Sequence, residues 1–417
     1  MHYEMEQEEH DVYPDDPDFD INKARLVTTA PRICVRYECV PMRFIKHVYR
    51  IHTYAQDGRL FEGKTPVSAF LNSSYDGSFI AGLMELRYIQ SLPVERIINY
   101  FESHGFTLKK PTAHKLMEKA SSLFENLYKC IRQTALSDPY KAADETYYKI
   151  LVPEKNSKGK GVRKGYLWVV VGINTRMIYL LYDDGSRSEK VILNELGGCK
   201  GIIQSDGYSP YRKLESDAYP HITRIPCLQH IKRKFIDCGE DEPDAKRIVE
   251  LINTLYQNEH KHKIGVDGWT VEQNLVHRKK YAPDILGEIK DVLDDIEERG
   301  DLLPKSELKE AVTYLRNEWN AVVDIFNYGD TYLDNNIVER MNRYISLSRK
   351  NSLFFGSHKG AERGAILYTI ALTCRMHKVN LFEYLTDVIN RTAEWQPNTP
   401  LEKYRELLPD RWEKANG

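Results

Sequence analysis

The chain has 417 residues, 41% hydrophobic and 29% charged, the size and make-up of a globular protein of two or three domains. No apolar run nears the ~20 residues of a membrane span; the acidic N-terminus lacks a signal-peptide core, and seven irregularly spaced cysteines argue against a secreted disulfide framework, so a cytosolic location is expected. The net charge of −2 is not that of a strongly basic nucleic-acid binder, yet it averages over two basic clusters, one at Lys155, Lys158, Lys160, Arg163 and Lys164, the other at Arg340, Arg343, Arg349 and Lys350.

Residues 1–30 are acidic, lack apolar periodicity and read as a flexible tail. Residues 31–62 alternate apolar and polar residues in PRICVRYECV and RFIKHVYRIHTYA, which predicts a small β segment. From 63 to 138 the period becomes helical. One helix carries Ile89, Leu92, Ile97 and Tyr100, with Pro93 near its start and His104-Gly105 at its end. Pro111-Thr112 opens another, with Leu116, Ala120, Leu123 and Leu127 at helical spacing. Two helices joined by a short glycine-containing turn fit a helix-turn-helix, a pattern shared with plain helical hairpins.

At Asp144 the period changes to two. TYYKILV, YLWVVVGI and MIYLLYD read as three strands, residues 188–196 as a helix and GIIQSDGY as a fourth strand ending at Asp206. A helix from Tyr208 and a fifth strand, ITRIPC, follow, which together predict a mixed α/β layer. Residues 236–325 are helical and charged, with DDIEERGDLLPKSE as a break. Asp334-Asn335-Asn336 then forms an N-cap-like run before a helix whose apolar face is Ile337, Met341 and Ile345. A last helical region covers 361–391, and 392–417 reads as a C-terminal tail.

Three acids stand out by position. Asp144 begins the first strand of the α/β region, Asp206 ends the fourth, and Glu339 lies on a helix alongside Asn335 and Arg343. Carboxylates that converge repel each other unless a cation binds between them. Oxygen-only ligands suit Mg²⁺ or Mn²⁺, and a pair of such ions serves in-line displacement at phosphorus. Any single acid of this set is equally at home as a turn residue or a surface ion-pair partner.

The segments ADET (143–146), QSDGY (204–208), CLQHIKRKF (227–235), LDNNIVERMNR (333–343) and RKNSLFFGSHKGAER (349–363) resemble, in order, the blocks of the insertion-sequence-66 family of bacterial transposases. The resemblance implies a ribonuclease H-like catalytic core in two parts, 139–235 and 326–391, interrupted by a helical insertion at 236–325. It implies that Asp144, Asp206 and Glu339 are the catalytic, metal-binding DDE acids, and that His230, Arg233, Lys234, Arg340, Arg343, Lys350 and Asn351 contact DNA. Mg²⁺ is the implied cofactor, with Mn²⁺ as a substitute. The implied reaction is cleavage at the inverted-repeat ends of an insertion sequence and strand transfer into target DNA. Expected partners are those DNAs, a second copy of the chain or a larger assembly, and accessory proteins of the same element, on the nucleoid and away from membranes. A catalytically silent DNA-binding regulator, or a nuclease that does not join strands, are the competing readings.

One departure from the family is clear. Its paired Cys-x-x-Cys zinc module is lacking, since four residues separate Cys34 from Cys39 and Gln56-Asp57-Gly58-Arg59 stands where the second pair belongs. With His47 and His52 these cysteines would make four ligands, but the alternating strand pattern argues against it, so thiols and no zinc are expected. Cys227 and His230 look like half of a metal site. Tyr208 and Tyr211 are expected to pack, as is Trp168.

Overall fold

The computed structural model describes residues 42–48, 50, 53–56, 59–62, 68–70, 73–154, 161–300, 302–393, 395–396 and 398–413. The expected acidic tail, Cys34, Cys39, His52 and the cluster Lys155, Lys158 and Lys160 lie outside them. Of the small β segment, strands β1 (Thr53–Gln56) and β2 (Arg59–Glu62) pair antiparallel. Residues 42–48, expected as strand, form none. Phe44 instead joins a ring cluster with Phe101 and Phe106 at 4.9 and 4.8 Å, an aromatic burial that outweighs the alternating pattern.

Four helices follow: α1 (Gly77–Met84), α2 (Val94–Ser103), α3 (Lys110–Leu123) and α4 (Glu125–Ser137). The single helix expected across Ile89 is in fact broken. A π-helical turn, Glu85–Ile89, ends before Ser91, which has a positive φ of 58°, and Pro93 then caps α2. Proline disfavours helical backbone in the residue before it, so the break belongs there. Gly105, at φ 83°, ends the α2 turn as expected.

The α/β layer is one five-stranded mixed sheet in the order β5–β4–β3–β6–β7, made of β3 (Tyr140–Leu151), β4 (Val162–Gly172), β5 (Ile178–Leu181), β6 (Gly201–Ser205) and β7 (Ile222–Pro226). The β3–β4 and β4–β5 pairs are antiparallel, while β3–β6 and β6–β7 are parallel. Strand β3 begins at Tyr140, so Asp144 sits inside it rather than at its start. The sequence hides this because Lys141 is fully buried, its ammonium donating to the carbonyls of Asp138 and Lys200. Of the run YLWVVVGI, residues 167–172 are buried as expected, Trp168 included, while its ends Tyr166 and Ile173 are half-buried.

Helices α5 (Glu189–Leu196) and α6 (Ser209–Arg212) flank β6 in sequence. Then come α7 (Leu228–Ile236), α8 (Pro243–Glu259), α9 (Val271–Arg299) and α10 (Glu307–Ile325). Helix α9 runs through half of the expected break and stops only at Gly300, φ 66°. Helices α11 (Asn336–Asn351), α12 (His358–Met376), α13 (Leu381–Thr392) and α14 (Leu401–Glu406) complete the chain. The expected tail is in part a docked element: α14 packs on α4 and buries Tyr404. No helix among the described residues is long and apolar enough to cross a membrane.

Two apolar cores result. One joins the sheet to α1–α4 and α11–α13. The other is built by α7–α10 together with Tyr140, Ile202 and Ile225 of the sheet.

Candidate active site

The parallel β3–β6 pairing sets the geometry. Its last rung is Ala142 opposite Gln204, and Asp144 and Asp206 each lie two residues further on. Side chains repeat every second residue along a strand, so the two acids continue the same row on neighbouring strands. Strand β6 ends at Ser205 while β3 runs on to Leu151, which opens a crevice at this level.

Burial pushes the Asp144 carboxyl up to about 7, and the charges of Glu145 and Asp206 add to the effect. Two donors oppose it: the Glu145 N–H reaches Oδ1 at 2.8 Å and Asn342 Nδ2 reaches Oδ2 at 2.7 Å. Consecutive strand residues diverge, so Glu145 meets different partners, accepting from Arg187 Nε at 2.9 Å and from the Tyr211 hydroxyl at 3.4 Å. Its carboxyl too is raised, first by burial. Tyr211 is fully buried and packs, as expected.

Asp206 is aimed by its backbone. Its carbonyl accepts from Arg224 Nη2 at 2.8 Å, and Arg224 Nε also donates to Ser205 Oγ at 3.1 Å. Arg224 is itself buried, pairing with Glu215 and the buried Glu318. The Asp206 Oδ1 accepts the Tyr208 N–H at 3.1 Å, and the Gly207 N–H donates to the Tyr314 hydroxyl at 2.8 Å. A Cβ at position 207 would meet that hydroxyl at 2.5 Å, so the close approach requires glycine.

Helix α11 closes the other side. Its buried residues are Val338, Met341, Ile345 and Ser348, with Ile337 only half-buried, so the packed stripe is turned from the expected one. Asn335 does not cap the helix with its side chain; its Nδ2 donates to Ala143 O at 3.0 Å and fixes α11 to β3. Glu339 lies between Asn335 and Asn342 on this face, whereas Arg343 is exposed. Its Oε1 stands 3.8 Å from His230 Nδ1, beyond hydrogen-bond reach. Cys227 Sγ is also close, and ligand atoms of Cys227, His230 and Glu339 all fall within 4.8 Å of one another. Burial pushes the Cys227 thiol up to about 12, and it accepts the Asn335 N–H at 3.2 Å.

Glu339 Oε1, Asn335 Oδ1, Asn342 Oδ1 and His230 Nδ1 are buried and have no hydrogen-bond partner. Native interiors rarely leave such atoms unpaired. A surplus of oxygen acceptors, beside an Asp144 crowded by other acids, is what a hard divalent cation satisfies. Carboxylate oxygens are the ligands that Mg²⁺ or Mn²⁺ takes, but among the described residues the three ligand atoms that come within 4.8 Å of one another are those of Cys227, His230 and Glu339, not those of Asp144, Asp206 and Glu339. Sulfur, nitrogen and oxygen together would suit a softer ion such as zinc.

An open cleft of about 350 Å³ is lined by Asp206, Tyr208, His230, Arg233, Lys234 and Tyr314, with Arg187, Gly207 and Asp237 completing it. Three of the expected DNA contacts, His230, Arg233 and Lys234, are thus gathered beside Asp206 on α7. Arg340, Arg343 and Lys350 are exposed on α11. Asn351 is exposed as well, with its Nδ2 donating to Ser91 O at 3.1 Å. Sequence reasoning missed Glu145, Arg187, Arg224, Tyr314 and Asn342. Only Asn342 carried a signal, being one helical turn beyond Glu339.

Fold and site together define a mixed α/β protein with a cleft lined by Asp206, Asp237 and the basic side chains Arg187, Arg233 and Lys234. The model of the family described as "Transposase IS66 family" matches residues 72–363, and the chain belongs to that family. Three relatives from Sinorhizobium fredii (strain NBRC 101917 / NGR234) are similar to it. Uncharacterized protein y4jD is 25% identical over 80% of this chain and 65% of its own length. Uncharacterized protein y4hP is 24% identical over 95% and 76%. Uncharacterized protein y4qI is 26% identical over 88% and 69%. The chain therefore spans roughly two thirds to three quarters of these relatives.

Proposed function

We propose that this chain is a DDE transposase that cuts DNA at the inverted-repeat ends of an insertion sequence and transfers the freed strand into target DNA. The observation that carries the reading is that Asp144 and Asp206 each follow the last β3–β6 rung by two residues and sense each other's charge, while Asn342, one turn beyond Glu339 on α11, donates to Asp144. Asp144, Asp206 and Glu339 would hold Mg²⁺, with Mn²⁺ as a substitute. Bound there, such ions supply activation of an attacking oxygen and charge stabilisation at phosphorus.

The protein's own groups orient the reaction. Arg224 and Tyr314 hold the Asp206 turn, and Asn342 orients Asp144. His230, Arg233 and Lys234 bind phosphates along the cleft, and Arg340, Arg343, Lys350 and Asn351 contact the backbone beyond it. The strand order, three antiparallel strands continued by two parallel ones, supports a ribonuclease H-like core with α8–α10 as its insertion. Helices α2 and α3, joined through Gly105, support a DNA-binding region at 63–138. Joining two element ends calls for at least two copies of the chain on DNA, with accessory proteins of the element as further partners.

The test is strand cleavage of a repeat-end duplex with Mg²⁺, comparing the parent chain with Asp206→Asn. Loss of cleavage in the variant is expected. Equal cleavage removes Asp206 from the mechanism, and metal-independent binding without any nicking leaves a DNA-binding descendant instead.

A further inference from the structure

Outside the cleft, the far end of the β3–β4 pair leaves one face exposed around Tyr147, Lys149 and Lys164. On β3 the even-numbered residues Thr146, Tyr148 and Ile150 are buried, while Tyr147 and Lys149 are exposed. Tyr147 lies directly across from Tyr166 on β4. Cations alternate with the rings. Arg349 lies 3.9 Å over Tyr147, Lys164 sits 4.4 Å from Tyr147 and 5.1 Å from Tyr166, and Arg187 sits 5.1 Å from Tyr166 and 4.1 Å over Tyr208. Arg187 and Tyr208 then line the cleft beside Asp206.

Tyrosines are common on strands, and an isolated cation over a ring is ordinary surface chemistry. The arrangement here goes further. The two basic clusters of the sequence, one contributing Lys164 and the other Arg349, lie far apart in the chain yet meet over one ring. Lys164 and Arg187 each bridge two rings, so the series is unbroken up to the cleft. The one acid on this face of β3, Glu145, is already paired with Arg187. Exposed Leu353 and Phe354 border the far end, where the Phe355 N–H bonds Lys149 O.

We propose that this ladder is a track for single-stranded DNA, on which an unpaired strand leaving the cleft stacks its bases. Rings provide sequence-tolerant stacking surfaces, and neighbouring cations take the phosphates. A duplex keeps its bases stacked on each other and offers this face only its backbone. Exposed Lys164 swings from ring to phosphate as a base takes its place, while half-buried Arg349 stays tied to the Tyr147 carbonyl and fixes the end of the series. The inference rests on the transposase reading for the direction of the strand, and its test is run without metal or cleavage.

Binding of an end-labelled oligothymidylate of about twenty nucleotides to the full chain in EDTA is measured by fluorescence anisotropy. An abasic oligomer of equal length and charge should bind at least about tenfold more weakly. The double variant Y147A/Y166A should lose about tenfold or more, Y147F/Y166F should retain binding, and affinity for a blunt duplex should not change, which also reports an intact fold. Equal affinity for the abasic oligomer, an equal loss in the phenylalanine variant, or an equal loss on duplex overturns the proposal. Absence of cleavage with this pattern intact would count against the transposase reading alone.

Discussion

His230 Nδ1 and Glu339 Oε1 face each other across 3.8 Å, both buried and neither hydrogen-bonded. The pair joins α7 to α11, and with them the proposed phosphate-binding side chains to the acid. Removing the charge while keeping the shape, as in Glu339→Gln, should therefore abolish a cation contact without unfolding the chain. Cleavage should fall at least about a hundredfold, since a metal-ligand contact supplies several kcal/mol at the transition state. Single-turnover rates on a repeat-end duplex measure this, and a loss under threefold would exclude Glu339 as a ligand.

Asn342→Leu removes the 2.7 Å donor from Asp144 and leaves the rest of α11 in place. Groups that orient a metal ligand without touching the metal are typically worth about 10–100-fold in metal affinity. Mn²⁺ titration followed by calorimetry should show that weakening. An unchanged affinity would make Asn342 a packing residue only.

The Asp144 carboxyl titrates near 7 instead of at its ordinary 3.8. A raised carboxyl means the fold disfavours the charged form, so the metal-free protein loses this contribution to stability as the pH climbs from about 4 to about 7. A divalent cation needs the carboxylate deprotonated, so protons compete with it. Added Mg²⁺ should therefore raise the melting temperature more at about pH 8 than at about pH 6. A shift that is the same at both, or larger in acid, would contradict this site.

Arg224 is fully buried against Glu318, whose side chain is 1% exposed. Arg224→Met leaves the buried Glu318 with only Arg212, 3.9 Å away, and should cost up to about 3–5 kcal/mol in denaturant unfolding. The double variant R224M/E318L should recover much of that loss, because it removes both charges. It should still cleave poorly, since the Asp206 carbonyl then keeps only the Ser205 hydroxyl, at 2.9 Å, which has itself lost its Arg224 donor. Full activity in the stable double variant would free Asp206 from this control.

Much of the sheet was legible because its signals are local. The apolar run at 166–173 reads as a strand with a buried middle, and Asp206 before Gly207 marks a strand end. The start of β3 was not, because burial of Lys141 depends on carbonyls of Asp138 and Lys200, one of them from a distant segment. Family motifs singled out Asp144, Asp206 and Glu339, yet only coordinates show Asn342 turned to Asp144 or Arg224 behind Asp206. Those contacts join residues 18 to 198 apart, beyond the reach of any periodicity.

Helices α8–α10 share their apolar core with Ile202 and Ile225 of the sheet edge. They are not a detachable appendage. Excision would bare the inner side of α7, with Ile231 and Phe235, to water and slacken the rim that carries His230 and Arg233. Length changes are tolerated instead in the bend between α8 and α9, where residues 261–268 are exposed and lie outside that shared interior. Heat should accordingly melt the insertion and the β6–β7 edge as one cooperative unit.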